Sequence, residues 1–222
     1  MIVPQFLYCR LPVNAYIGIR TLSTISQSPS SNNALWLSET KSRLGKLFFH
    51  GTTTEEVKEA SVILKDLTKN WREYVAASEG FLTGEKWRGL YKHNVVWGDM
   101  DSMGIFYLTP ERPIEWPDKV SVYHRLGTVS KDSFTLDVMV LSEKHQRLAA
   151  RCLEDIVIYN YRPVNKTQRP GKAPIPDFMN AQFDEITMLQ KEVKENALDG
   201  IKDITEKTNI LERRVLEKKE MI

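Results

Sequence analysis

The chain has 222 residues, 41% of them hydrophobic and 27% charged, which fits a globular protein with one sizeable core and excludes a disordered or fibrous one. No apolar run approaches the ~20 residues of a membrane-spanning helix. The net charge is 31 − 29 = +2; Arg10 and Arg20 account for it and both precede the first acid, Glu39, so the neutral remainder has no excess charge to steer it toward nucleic-acid phosphates.

Residues 1–38 read as an address. The stretch from Tyr16 to Ser26 is free of acid, rich in hydroxyls and punctuated by Arg20, which suits a mitochondrial transit peptide. Arg20-Thr21-Leu22-Ser23 resembles the pattern at which such leaders are cut. Arg10 interrupts the apolar stretch, and Pro4 and Pro12 weaken its helix, which argues against a secretory signal. A disordered arm of chance composition is the bland alternative. Ser28-Pro29-Ser30-Ser31-Asn32-Asn33 reads as linker. With Cys9 in the leader, Cys152 stands alone in the body, so no internal disulfide or zinc site is expected there. Cys152 lies in an apolar strand and is expected to be a buried small hydrophobe. His50, His93, His124 and His145 show no metal-ligand spacing and are assigned structural or surface roles.

The body, 39–176, opens on a predicted helix. Thr53 and Glu56 have capping-box spacing. Val57, Ala60, Ile63, Leu64, Leu67, Trp71 and Tyr74 follow at steps of three and four, which predicts one amphipathic helix over 53–77, ending before Gly80. A glycine-spaced turn region leads to a strand, Leu90–Trp97. Val120, Val122, His124 and Leu126 alternate with polar neighbours, as do Phe134, Leu136, Val138 and Val140. A third strand runs from Arg147 to Tyr161, with a bulge expected near Glu154-Asp155. The connections Gly127–Asp132 and Ser142–Gln146 make hairpins, so the sheet is antiparallel and the fold α+β. The segment 163–176 is proline-punctuated loop. The third region, 177–222, is an amphipathic helix interrupted by Gly200; it either docks partly on the sheet or seeks a coiled-coil partner. The apolar strand face of Val120, Val122, Phe134, Leu136, Val138 and Val140 needs a cover. The candidates are Leu67 and Trp71 of the first helix, or Leu189 and Val193 of the tail.

Chemistry concentrates in Val95-Val96-Trp97-Gly98-Asp99-Met100-Asp101-Ser102-Met103-Gly104. Asp99 and Asp101, two residues apart at a strand end, point the same way. Turn residues ending a strand are the bland reading. A magnesium site is a second reading, but no phosphate-cradling loop accompanies the pair. With its flanks, this segment resembles the active-site signature of hot-dog thioesterases of the 4-hydroxybenzoyl-CoA thioesterase type, in their fungal mitochondrial branch. The flanks are Glu79–Gly84, Arg88–Tyr91, Trp116–His124, Ala149–Cys152 and Phe178–Phe183, and the resemblance spans roughly residues 50–195.

The resemblance implies a hot-dog-like antiparallel sheet with flanking helices, an acyl-CoA substrate, no cofactor and a homo-oligomer. It makes Asp101 the nucleophile or general base, with Asp99 as its supporting carboxylate. Backbone amides near Gly104 polarise the thioester carbonyl, and Met103 and Ile105 contact substrate. After Gly104 the chain departs from the family. Gly104-Ile105-Phe106-Tyr107 resembles a variant opening of the central helix, but Pro110 and Pro113 forbid its continuation. The central helix and at least one strand are therefore expected to be missing. Two functions follow as expectations, an acyl-CoA thioesterase and a catalytically inactive hot-dog remnant that binds or scaffolds.

Overall fold

The computed structural model describes residues 32–49, 52–83, 91–94, 105–106, 114–115, 117–161 and 170–220. The leader through 31 and the whole Asp99–Gly104 signature lie outside the described residues.

A helix that the sequence reading does not anticipate comes first. Helix α1 spans Asn32–Leu47, so it begins within the expected linker and crosses the 38/39 boundary. Leu37, Leu44 and Leu47 are buried on one side with Thr40 between them, a spacing that marks a helix face. Helix α2, Thr54–Lys69, starts with the expected capping box. The Glu56 amide donates to Thr53 Oγ1 at 3.4 Å, and the Thr53 amide donates to Glu56 Oε2 at 2.8 Å.

The expected single helix over 53–77 is in fact three pieces. Asn70 ends α2, with its amide donating to Asp66 O at 2.8 Å and its side-chain Nδ2 donating to Asp66 Oδ1 at 2.7 Å. An asparagine that satisfies its own backbone locally competes with helix continuation. Helix α3, Trp71–Val75, follows, and then a 3-10 turn at Ala77–Glu79. Gly80 takes φ +90 there, a conformation for which glycine is the natural residue.

The main sheet has the order β1-β4-β5-β6 and is antiparallel throughout. Its strands are β1 (Tyr91–Asn94), β4 (Lys119–Val129), β5 (Ser133–Ser142) and β6 (Arg147–Val157). Two short ribbons accompany it, β2 (Ile105–Phe106) with β3 (Ile114–Glu115), and β7 (Tyr159–Asn160) with β8 (Gly171–Lys172). The expected antiparallel α+β architecture with flanking helices is what the described residues form. The bulge is displaced from the expected site. The β5–β6 register shifts between Val140 and Leu141, whose partners are Ala150 and Leu148, so the extra residue is Ala149 rather than one near Glu154. A second shift between Leu126 and Val129 accommodates Gly127 and Thr128. Strands β4 and β5 run into the expected turns, whereas the third strand ends at Val157 rather than at Tyr161.

Helix α4 runs unbroken from Asp177 to Glu220, 44 residues, or about 66 Å at 1.5 Å per residue. Gly200 does not interrupt it. A Cβ at this position would lie 3.3 Å from Tyr74 Cε1, so glycine serves close approach here.

The helices cover the opposite sheet face from the one expected to need them. Leu67 and Trp71 share a core with Tyr123, Met139, Leu141 and Leu148, which also takes in Leu37 and Leu44 of α1 and Ile204, Leu211 and Val215 of α4. In the alternation, Tyr123, Met139 and Leu141 are the neighbours of the valines. The valine face is covered at one end by α4, where Leu126, Phe134 and Ile156 pack with Met179, Phe183 and Ile186. Leu189 and Val193 are only half-buried.

The α4–α3 contact yields a stability test. Tyr74 is held at its hydroxyl by Asp66 at 2.5 Å and at its ring by Trp36, edge-on at 5.7 Å. It cannot retreat easily from a larger residue at 200. Gly200→Leu is expected to cost about 1–3 kcal/mol, read as a lower melting temperature with helical content retained.

Candidate functional site

Asp99, Asp101, Met103 and Gly104 lie outside the described residues. Of Ile105 the structure gives the backbone, which pairs in β2 with Glu115 of β3. The flanks of the signature converge. Strand β1 leads into it with Asn94 paired to Lys119 at the start of β4. At the other end, Ile114 of the β2–β3 ribbon packs with Val120, Ala149 and Val140. Both ends are therefore fastened to one corner of the sheet, and the ribbon end lies on the valine face.

That corner is built around Asp118, which is buried and fully engaged. Its Oδ1 accepts from the Lys119 amide at 2.6 Å and the Lys144 amide at 3.0 Å. Its Oδ2 accepts from the Ser142 hydroxyl at 2.6 Å. A carboxylate so occupied fastens the β5–β6 turn to the start of β4. It is a structural group, and the sequence reading quotes it only as a flank.

Further along the valine face sit three ionisable side chains. Register places His124 opposite Val138, and Val138 opposite Cys152; one step on, Leu136 lies opposite Glu154. All three carry the mark of an apolar setting. Burial lowers the His124 pKa, favouring the neutral imidazole. Burial raises that of Cys152, aided by the Glu154 charge, and keeps the thiol protonated. Burial also raises that of Glu154. Cys152 is a free thiol and only half-buried, rather than the fully buried small hydrophobe expected. His124 and Glu154 are the residues that sequence reasoning passes over. Alternation with Val122 and Leu126 is the available signal for His124.

The opposite face holds an ion-pair cluster at the exit from the 3-10 turn. Arg125 Nη1 donates to Glu79 O at 2.6 Å, and its guanidinium also pairs with Asp137. Arg151 pairs with Glu79, leaving Arg151 Nε and Glu79 Oε1 buried without partners. Arg72 of α3 pairs with Glu143, which also accepts from the Ser121 hydroxyl. These contacts bind α3 and the 3-10 turn to the sheet. Among the described residues no group of three or more His, Cys, Asp or Glu is placed to hold a metal ion, and no helix is long and apolar enough to cross a membrane.

A family model described as the thioesterase-like superfamily matches residues 107–183. This stretch runs from just beyond Ile105, through β4–β6, into the first turns of α4. No curated protein matches the sequence. Among solved structures, the chain is similar to a 1,4-dihydroxy-2-naphthoyl-CoA thioesterase from Synechocystis. The identity is 15%, the overlap covers 42% of this chain and 93% of that one, and the TM-score is 0.35. A thioesterase from Thermus thermophilus, complexed with coenzyme A and Zn, is 17% identical over 49% of this chain and 96% of that one, with a TM-score of 0.35. The 12:0-ACP thioesterase from Umbellularia californica is 16% identical over 77% of this chain and 50% of that one, with a TM-score of 0.27. Overlaps this loose carry no argument by themselves.

The buried imidazole sets a pH dependence. Unfolded, His124 takes a proton near its ordinary 6.5; folded, it does so only at lower pH. Its stability contribution is thus complete above 6.5 and is lost as pH falls through the folded value. The raised pKa of Glu154 acts in the opposite sense, so a variant is needed to isolate the histidine. The melting temperature of the wild type is expected to fall more steeply just below pH 6.5 than that of His124→Phe.

Proposed function

We propose that the protein is an acyl-CoA thioesterase, cleaving an acyl-CoA to free acid and CoA without a cofactor. The observation that carries this reading is the thioesterase-like family match over 107–183. It covers the strands immediately following the Asp-x-Asp signature. In the proposed reaction Asp101 either deprotonates the attacking water or attacks the carbonyl carbon itself. The carbonyl oxygen takes up negative charge, for which amides near Gly104 are the donors. Collapse breaks the C–S bond, and the departing CoA thiolate takes a proton; where Asp101 itself attacked, water then hydrolyses the resulting acyl–aspartyl anhydride to free acid and the Asp101 carboxylate. Asp99 supports the carboxylate, and Met103 and Ile105 line the approach of the acyl group.

A second reading, a non-catalytic protein that binds acyl-CoA or scaffolds a partner, has its own support. Ile105–Phe106 pairs with Ile114–Glu115, and the seven intervening residues, 107–113, contain Pro110 and Pro113. A helix interior tolerates neither proline, each costing about 3 kcal/mol. So short and proline-broken a span supports the reading in which the central helix is absent, and without that helix the donors near Gly104 would have no helix dipole behind them.

Release of CoA thiol from a panel of acyl-CoAs separates the two. For the enzyme, Asp101→Asn is expected to lower turnover by orders of magnitude, because an amide is neither base nor nucleophile, and Asp99→Asn to cost much less. Equal losses would reverse the role assignment. Binding of acyl-CoA with no turnover in the wild type selects the second reading.

The proposed location is the mitochondrion. Support comes from the acid-free, Arg-punctuated leader. A reporter fused to residues 1–38 is expected to reach mitochondria, and replacing Arg10 and Arg20 with Glu to abolish import.

A further inference from the structure

Both described ends of the Asp-x-Asp segment are tied to one buried carboxylate. Asn94, the last described residue before the segment, has Lys119 as its register partner across β1 and β4. The Lys119 amide is one of the donors to Asp118 Oδ1. Beyond the segment, Ile105 and Phe106 pair with Glu115 and Ile114, and three residues after Glu115 the chain reaches Asp118. Three residues span at most about 10 Å, so the ribbon is tethered closely to the same side chain. Ile114 also packs on Val120 and Ala149. Val120 has Ser142 as its register partner, and the Ser142 hydroxyl donates to Asp118 Oδ2.

Asp118 is 7% exposed, and a carboxylate so deeply placed is costly unless its oxygens are occupied. Here they accept from the Lys119 and Lys144 amides and the Ser142 hydroxyl. The same strand pair holds a matching bond on its other face. Ser121, next to Val120, donates its hydroxyl to Glu143 on the helix-covered side. Ser121 and Ser142 are both fully buried, and both hydroxyls serve a carboxylate. Only the Ser142–Asp118 bond lies where the two ends of the segment meet the sheet. We propose that Asp118 is a positioning residue for the site. By holding Lys119, Ser142 and Lys144 together it sets where both ends of the Asp99–Gly104 segment leave the sheet, and through them where Asp101 is aimed. The inference rests on the reading of Asp101 as the base or nucleophile of thioester hydrolysis. A misplacement of about 1 Å at the reacting atoms costs about a hundredfold in rate, so a loosened anchor registers in turnover before the fold is lost.

Ser142→Ala and Ser121→Ala in the full chain test this. Each deletes one buried hydroxyl–carboxylate bond from the same strand pair, so both should lower the melting temperature to a similar extent. In acyl-CoA hydrolysis, Ser142→Ala is expected to lower kcat about tenfold with KM nearly unchanged, and Ser121→Ala to leave both near the wild-type values. Asp118→Asn keeps an oxygen for the two amides, but its Nδ2 cannot accept from the hydroxyl, so it should match Ser142→Ala. The double variant should lose no more than either single one, because both remove the same bond. Hydrogen exchange reads the anchor without any chemistry. The amides of Tyr91–Asn94 and Ile105–Phe106 should exchange faster in Ser142→Ala than in Ser121→Ala. Equal exchange in the two variants overturns the proposal whatever the activity, and so does a wild-type kcat in Ser142→Ala. Selective exchange in a protein that hydrolyses no thioester upholds the anchor and instead removes the reading of Asp101.

Discussion

The arrangement depends on where α4 changes sides. Its first turns pack Met179, Phe183 and Ile186 against Leu126, Phe134 and Ile156 on the valine face, while Ile204, Leu211 and Val215 belong to the helical core on the other. Between them the helix passes the edge of β4 beyond the end of β1. Gln190 marks the crossing, with its amide oriented so that nitrogen donates to Leu126 O at 3.2 Å and oxygen accepts from Leu126 N at 2.8 Å. A side-chain amide thus supplies the two bonds that a neighbouring strand would have made. Gly80 sits against the same place, where a Cβ would meet Gln190 O at 3.4 Å. Satisfying the buried backbone at this edge lets one unbroken helix serve both faces.

This crossing explains what the sequence can and cannot reveal. Period-two alternation identifies β4, β5 and β6 and their antiparallel pairing, because each strand is long and has one consistently apolar face. The same alternation misassigns the cover. Tyr123, Met139 and Leu141 are outweighed in the pattern by the valines, yet they are the residues that Trp71 and Leu67 bury. Helix α1 escapes notice because the polar Ser28–Asn33 run hides its start and Thr40 interrupts its apolar stripe. Asn70 and Gly200 mislead in opposite directions. The asparagine looks compatible with a helix but ends one by bonding to Asp66, and the glycine looks like a break but is a contact point for Tyr74. In both cases the deciding partner is a side chain whose position the local sequence does not specify.

The candidate site is legible as chemistry rather than geometry. The Asp99–Gly104 signature stands out by composition, and the structure adds that its two flanks meet at the Asp118 corner of the sheet. The ionisable row of His124, Cys152 and Glu154 is not legible at all. His124 comes from β4 and the other two from β6, and only the register through Val138 brings the histidine to their face. Burial there disfavours the charged form of each of the three.

The opposite face shows why polar residues in a strand do not by themselves mark solvent. Ser121, Arg125, Asp137 and Arg151 all point to the side covered by helices, and each has a partner there or across the strand pair. Breaking one such pair leaves a partly buried charge uncompensated, whereas replacing both partners with apolar groups is often neutral. Their value therefore lies in specificity. Arg72 reaches Glu143 only when α3 lies across the β5–β6 turn, and Arg125 reaches Glu79 O only when the 3-10 turn follows directly. These pairs tie α3 and the 3-10 turn to particular residues of the sheet. The two buried atoms left without partners, Arg151 Nε and Glu79 Oε1, are a cost of the same arrangement, borne because Glu79 must meet Arg151 from a turn that also carries Gly80 under α4.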